Sequence, residues 1–63
     1  MTNRILRESD RAQKTGIPTS TWYQLQEEGL APRPVSLGPR SVGWVESELD
    51  IWIASRIAER DAA

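Results

Sequence analysis

The chain contains no cysteine and no histidine. Those absences exclude disulfide staples, the usual zinc sites, and nucleophilic or acid–base chemistry built on either residue. There is no glycine-rich phosphate loop. No apolar run approaches the ~18 residues of a membrane span, and the start of the chain lacks the pattern of a secretory leader, so neither is expected. Charge of one sign is not in excess either: eight Lys and Arg against nine Asp and Glu leave a net charge of -1. DNA-binding chains usually carry a basic footprint, so any such role must rest on where the charges fall, not on their sum.

The 63 residues read as a single domain. A chain this short buries only about 60% of its unfolded surface and is marginally stable. With staples and metals excluded, packing must compensate, and three tryptophans, Trp22, Trp44 and Trp52, are the residues available for it. The bases fall early, at Arg4, Arg7, Arg11 and Lys14, and again at Arg33 and Arg40. The acids gather at Glu27-Glu28 and from Glu46 onward. That asymmetry allows one modest basic face. The acidic group at Glu46, Glu48 and Asp50 suits a solvated helix start, not a catalytic pair, and no enzymatic activity is expected.

Residues 1–8 read as an extended lead, with Ile5 and Leu6 tucked against the body. Ser9 is a good N-cap, and a short first helix is expected over residues 10–14 with Ala12 facing inward. Gly16 supplies the left-handed stop, Ile17 plugs the turn, and Pro18 suits the entry to the next helix, from about Thr19. Thr19 or Ser20 could cap that helix, which runs to about residue 28 with Trp22 and Leu25 as its buried stripe and Gly29 as its end. The prolines of Leu30-Ala31-Pro32-Arg33-Pro34 make a stiff connector. Strands are expected over residues 35–37 and 42–45, joined by a Gly38-Pro39-Arg40-Ser41 turn. Ser47 to Asp50 resembles a shortened capping box, and Leu49, Trp52, Ile53 and Ile57 form the apolar face of a third helix running to about residue 60, after which residues 61–63 should fray.

The expected fold is therefore small and mostly α: a winged helix-turn-helix with three helices and a two-stranded β-hairpin wing. The helix-turn-helix covers about residues 9–29, the wing about 35–45 and the last helix about 47–60. In such a domain the second helix enters the DNA major groove and the wing reaches a flanking groove or the backbone. Gln24 can pair with the N6 and N7 edge of adenine, although alone it reads as an ordinary solvated residue. Thr19, Ser20 and Thr21 can bond phosphates or base edges, and Tyr23 either. Arg40, at the wing tip, can enter a narrow minor groove or meet a phosphate. Arg33 and Lys14 read as phosphate clamps, with Arg4, Arg7 and Arg11 as weaker candidates. The tryptophans could form a stacking platform for single strands, but their places on apolar stripes assign them to the core. Ile51 lies off the main stripe, either as a contact for a partner copy or as a partly covered surface residue.

Several segments carry a family resemblance: Arg4-Ile5-Leu6, Thr15-Gly16-Ile17, Ser20-Thr21-Trp22-Tyr23, Gly29-Leu30-Ala31-Pro32-Arg33-Pro34, Leu37-Gly38-Pro39-Arg40-Ser41-Val42-Gly43-Trp44, and Glu46-Ser47-Glu48-Leu49-Asp50-Ile51-Trp52-Ile53. Together they resemble the AlpA-type phage regulators, which belong with the excisionase-like, MerR-like winged helix-turn-helix domains. The resemblance implies sequence-specific binding of double-stranded DNA by a phage or mobile-element regulator or excisionase in the bacterial cytoplasm. It places Ser20, Thr21, Tyr23 and Gln24 on the recognition helix and Arg40 on the wing. It implies no cofactor and no membrane; adjacent copies on DNA, or an integrase, are the expected protein partners. The family often has Arg or Lys where this chain has Gln24 and Glu27, and a bulky aromatic at Ala31. The alternative is a protein-interaction module on the same fold that binds an integrase or other partner through its acidic face.

Overall fold

A computed structural model describes residues 4–63. The elements follow in the order β1 (Ile5–Leu6), α1 (Glu8–Thr15), α2 (Thr19–Glu27), β2 (Val35–Gly38), β3 (Ser41–Val45) and α3 (Glu46–Ala62). The three helices and the β2–β3 hairpin have the winged helix-turn-helix arrangement that the sequence predicts. Of the expected extended lead, residues 1–3 lie outside the described residues and Glu8 belongs to α1, while Ile5–Leu6 does more than tuck in. As β1 it pairs antiparallel with β3, Ile5 opposite Val45 and Leu6 opposite Trp44, so the hairpin becomes a three-stranded sheet of order β1-β3-β2.

Both glycine stops hold. Gly16 adopts φ 71° and donates its N–H to the Ala12 carbonyl at 2.8 Å. Gly29, at φ 73°, donates to Gln26 at 3.1 Å while Leu30 donates to Leu25 at 2.8 Å, the paired bonds of a Schellman end. The helix starts differ from expectation, since none of the three has a side-chain cap. Ser9 lies inside α1, and Arg7, extended by β1, takes the cap position and accepts the Arg11 N–H at 2.8 Å. Pro18 stands before α2 and accepts the Trp22 N–H at 2.9 Å, so neither Thr19 nor Ser20 caps. α3 begins at Glu46, ahead of the Ser47 capping box, because β3 runs straight into it. The Glu46 N–H donates to the Arg4 carbonyl at 2.7 Å, so the β1–β3 pairing serves where a cap would. The helix continues through Ala62.

The buried apolar core is Leu6, Trp22, Trp44 and Leu49, with Ile17, Leu25, Ala31 and Trp52 packed against it. Trp22 meets the other two tryptophans edge-on, with ring centroids 6.4 Å from Trp44 and 5.2 Å from Trp52. Ala12 is not the inward residue of α1. That place belongs to Arg11, whose side chain has no exposed surface. Its guanidinium lies 4.7 Å from the Trp22 centroid and donates to Thr15 Oγ1 at 3.2 Å and to the Ile17 carbonyl at 2.6 Å. Both Glu8 carboxylate oxygens complete its partners. Gln26 is the second buried polar residue; its Oε1 accepts the Trp44 indole N–H at 3.0 Å. On α3 the apolar stripe outruns the core. Leu49 is buried, Trp52 and Ile53 are half-buried, and Ile57 is exposed. No helix among the described residues is long and apolar enough to cross a membrane.

Candidate nucleic-acid interface

Burial of Trp22 and Gln26 fixes the rotation of α2 and turns Ser20, Thr21, Tyr23, Gln24 and Glu27 outward. Ser20, Tyr23, Gln24 and Glu27 stand at i, i+3, i+4 and i+7, which is one continuous face. The Gln24 amide lies 3.5 Å from Glu28 Oε1, at the outer limit of a hydrogen bond, and so retains its donor and acceptor capacity. Thr19 is exposed too, but its hydroxyl donates to Glu8 Oε1 at 2.9 Å. It thereby ties the start of α2 to α1. Burial pushes the Glu8 carboxyl up, but the hydrogen bonds from Arg11 and Thr19 and the charge of Arg11 outweigh it and hold the group below its ordinary value.

The cations divide into two sets. Arg11 pairs with Glu8, Arg56 with Glu59 and Arg60 with Asp61. Lys14 pairs with both Asp50, at 2.8 Å, and Glu46, at 3.2 Å, and these bonds, that to Asp50 foremost, raise its pKa. Expected as a phosphate clamp, Lys14 is instead held across α1 and α3 by the acidic start of α3. Arg4, Arg7, Arg33 and Arg40 have no carboxylate within ion-pair distance among the described residues. Arg33 shares a shallow groove with Tyr23, Gln26, Glu27 and Pro34, which sets an unpaired guanidinium beside the outer face of α2.

The wing has a two-residue tip, Pro39 and Arg40, between the paired Gly38 and Ser41. A bulge at Leu37 shifts the register between Ser36 and Gly38. Arg40 is exposed at this tip. Arg7, only a weak candidate in the sequence, reaches the wing from β1 and donates to Ser41 Oγ at 3.1 Å. No local pattern announces that contact, because it spans 34 positions. Gln26 was likewise missed: a glutamine two residues from Gln24 carries no mark of burial until Trp44 is placed against it.

Helix, glycine turn, exposed polar helix and hairpin wing define a small winged helix-turn-helix protein. The sequence pattern of the family described as Prophage CP4-57 regulatory protein (AlpA) matches residues 4–57, and the chain belongs to that family. It is 37% identical over 59 residues to the DNA-binding transcriptional activator AlpA of Escherichia coli K12, covering 84% of each chain. It is 42% identical over 57 residues, 90% of its length, to a protein of Enterobacteria phage P4 named "Uncharacterized protein ORF88". The chain spans 65% of the length of that phage relative. No solved structure matches it.

Proposed function

We propose that the protein binds double-stranded DNA as a phage-type transcriptional regulator. In this reading α2 enters the major groove, Gln24 and Tyr23 address base edges, and Ser20 and Thr21 bond the backbone. Arg33 meets a phosphate beside α2, and Arg40 carries the wing tip to the flanking groove or backbone. Thr19 and Lys14 belong to the scaffold: one ties α1 to α2, the other α1 to α3. The observation that carries the reading is the sorting of the cations, since the guanidiniums left without carboxylates include those beside α2 and at the wing tip. The description of the E. coli relative as a DNA-binding transcriptional activator supports it.

The test is fluorescence anisotropy on DNA duplexes across a salt series. Phosphate neutralisation makes log affinity fall linearly with log salt. A salt-independent signal, or none at any salt, would remove the DNA reading. A second use of the fold draws on a groove lined by Ile17, Trp52, Ile53 and Ile57, with Arg56 and Arg60 at its border. Exposed isoleucine beside a half-covered tryptophan supports docking of an integrase or a neighbouring copy there. Substituting Ile57→Glu should then abolish a pull-down with that partner while leaving binding to an isolated duplex unchanged. An excisionase role adds DNA bending, which circular-permutation gel shifts measure.

A further inference from the structure

We infer that Arg7, held by Ser41, forms with Arg40 a phosphate clamp at the wing, so that the link between β1 and α1 is part of the nucleic-acid surface. The inference rests on the DNA reading above and names a contact outside the helix and the wing tip. The register supplies the geometry. Ile5 faces Val45 and Leu6 faces Trp44, and Leu6 and Trp44 turn into the core. Ile5 and Arg7 therefore lie on the opposite side of the sheet, the side shared by Gly43 and Ser41 in β3. From there the Arg7 guanidinium reaches Ser41 Oγ at 3.1 Å. Ser41 directly follows Arg40, so the Arg7 guanidinium is anchored one residue along the chain from the wing-tip arginine.

Neither has a carboxylate partner among the described residues, in a chain whose nine acids outnumber its eight bases. A guanidinium that no carboxylate neutralises keeps its charge available to an external anion. An arginine has five N–H donors, and the bond to Ser41 leaves most of the Arg7 fork open to phosphate oxygens. The serine anchor also restricts a long side chain before any ligand arrives, which reduces the entropy lost on binding. Arg4 is the internal contrast. It alternates with Leu6 and lines a different shallow pocket with Asp10, Gln13, Lys14 and Glu46.

The test measures the salt dependence of binding to one mixed-sequence duplex for the full chain and four variants. Arg7→Gln should lower affinity about tenfold at low salt and reduce the slope of log affinity against log salt by about 1. Arg7→Lys should retain the slope. Ser41→Ala should retain the slope as well, with a smaller loss of affinity, because the charge persists without its anchor. Arg4→Gln should leave the slope unchanged. Thermal melting of each variant separates folding from binding; if Arg7→Gln melts early, the Ser41→Ala and Arg7→Lys pair decides alone. An unchanged slope for a folded Arg7→Gln, or Ser41→Ala binding like the parent, overturns the clamp while leaving the DNA reading intact. Failure of the parent chain to bind any duplex overturns both.

Discussion

The guanidinium of Arg11 lies over the face of Trp22 at 4.7 Å from the ring centroid, and both side chains are completely buried. The desolvation cost of a charge here is offset by its partners: two tryptophan faces, the Glu8 carboxylate, the Thr15 hydroxyl and the Ile17 carbonyl. The same bonds join α1, the Gly16 turn and, through Glu8 and Thr19, the first residue of α2. The buried arginine thus ties both helices to the turn between them. Arg11→Ala should cost about 3 kcal/mol, since it opens a cavity and strands its partners. Arg11→Met, close in volume, should cost less than about 1.5 kcal/mol. Denaturant titration measures both, and equal losses would mean that bonding rather than volume matters at this site.

Acid should loosen the same network. The Glu8 carboxyl titrates below its ordinary value of 4.5, so the unfolded chain binds the proton more tightly than the folded one. Its contribution to stability is present in full above that value and is lost as pH falls through the depressed folded one. Melting temperatures measured downward from neutral pH should fall more steeply for the parent than for Glu8→Gln. Lys14 acts at the other extreme: its raised pKa makes its contribution complete below 10.5 and lost as pH climbs past the folded value. Parallel acid profiles for the parent and Glu8→Gln would remove Glu8 from this account.

Gly43 marks where β1 crosses the hairpin. An added methyl there would run into the Ile5 side chain and come within 3.0 Å of the Leu6 carbonyl oxygen. Gly43→Ala should destabilise the chain by about 1–3 kcal/mol, the usual cost of overpacking, and should weaken DNA binding by displacing β1 from the wing. Combined melting and anisotropy measurements test it. A stable variant with parental affinity would show that β1 accommodates the methyl without leaving the wing.

The ion pairs of Lys14 make it a control for the cation sorting. Lys14→Gln should lower stability slightly and leave the salt slope of DNA binding unchanged. Arg33→Gln and Arg40→Gln should each reduce that slope by about 1. With Arg7 these give about three neutralised phosphates and a parental slope near −3. So few contacts leave single-site affinity modest, and cooperative occupancy of tandem or paired sites follows, detectable by footprinting natural targets. A slope that falls with Lys14→Gln would reverse the sorting.

Gln24 should carry sequence preference instead of charge. Gln24→Ala is expected to cost about 1–3 kcal/mol against the best site and to relax preference at one base pair, with little change on mixed sequence. Competition with single-base site variants resolves this. A uniform loss across sites would assign Gln24 to the backbone.

The amino-acid sequence by itself determined the helix ends at Gly16 and Gly29, the hairpin around Pro39 and Arg40, the tryptophan-based core and the polar outer face of α2. Each is a local matter of backbone preference or side-chain periodicity within a few residues. The pairing of β1 was decided in tertiary structure, because two residues of strand carry no periodicity and exist as a strand only against β3. The same holds for the helix starts, where strand pairing placed Arg7 and Val45 at the cap positions, ahead of the better capping residues Ser9 and Ser47. It holds most of all for charge. Arg7, Arg11 and Lys14 look alike in sequence, yet one is anchored beside the wing, one is buried between tryptophans, and one is neutralised by acids 32 and more positions away. Which of them can meet a phosphate depends on partners distant in the chain, and only folding brings those partners together.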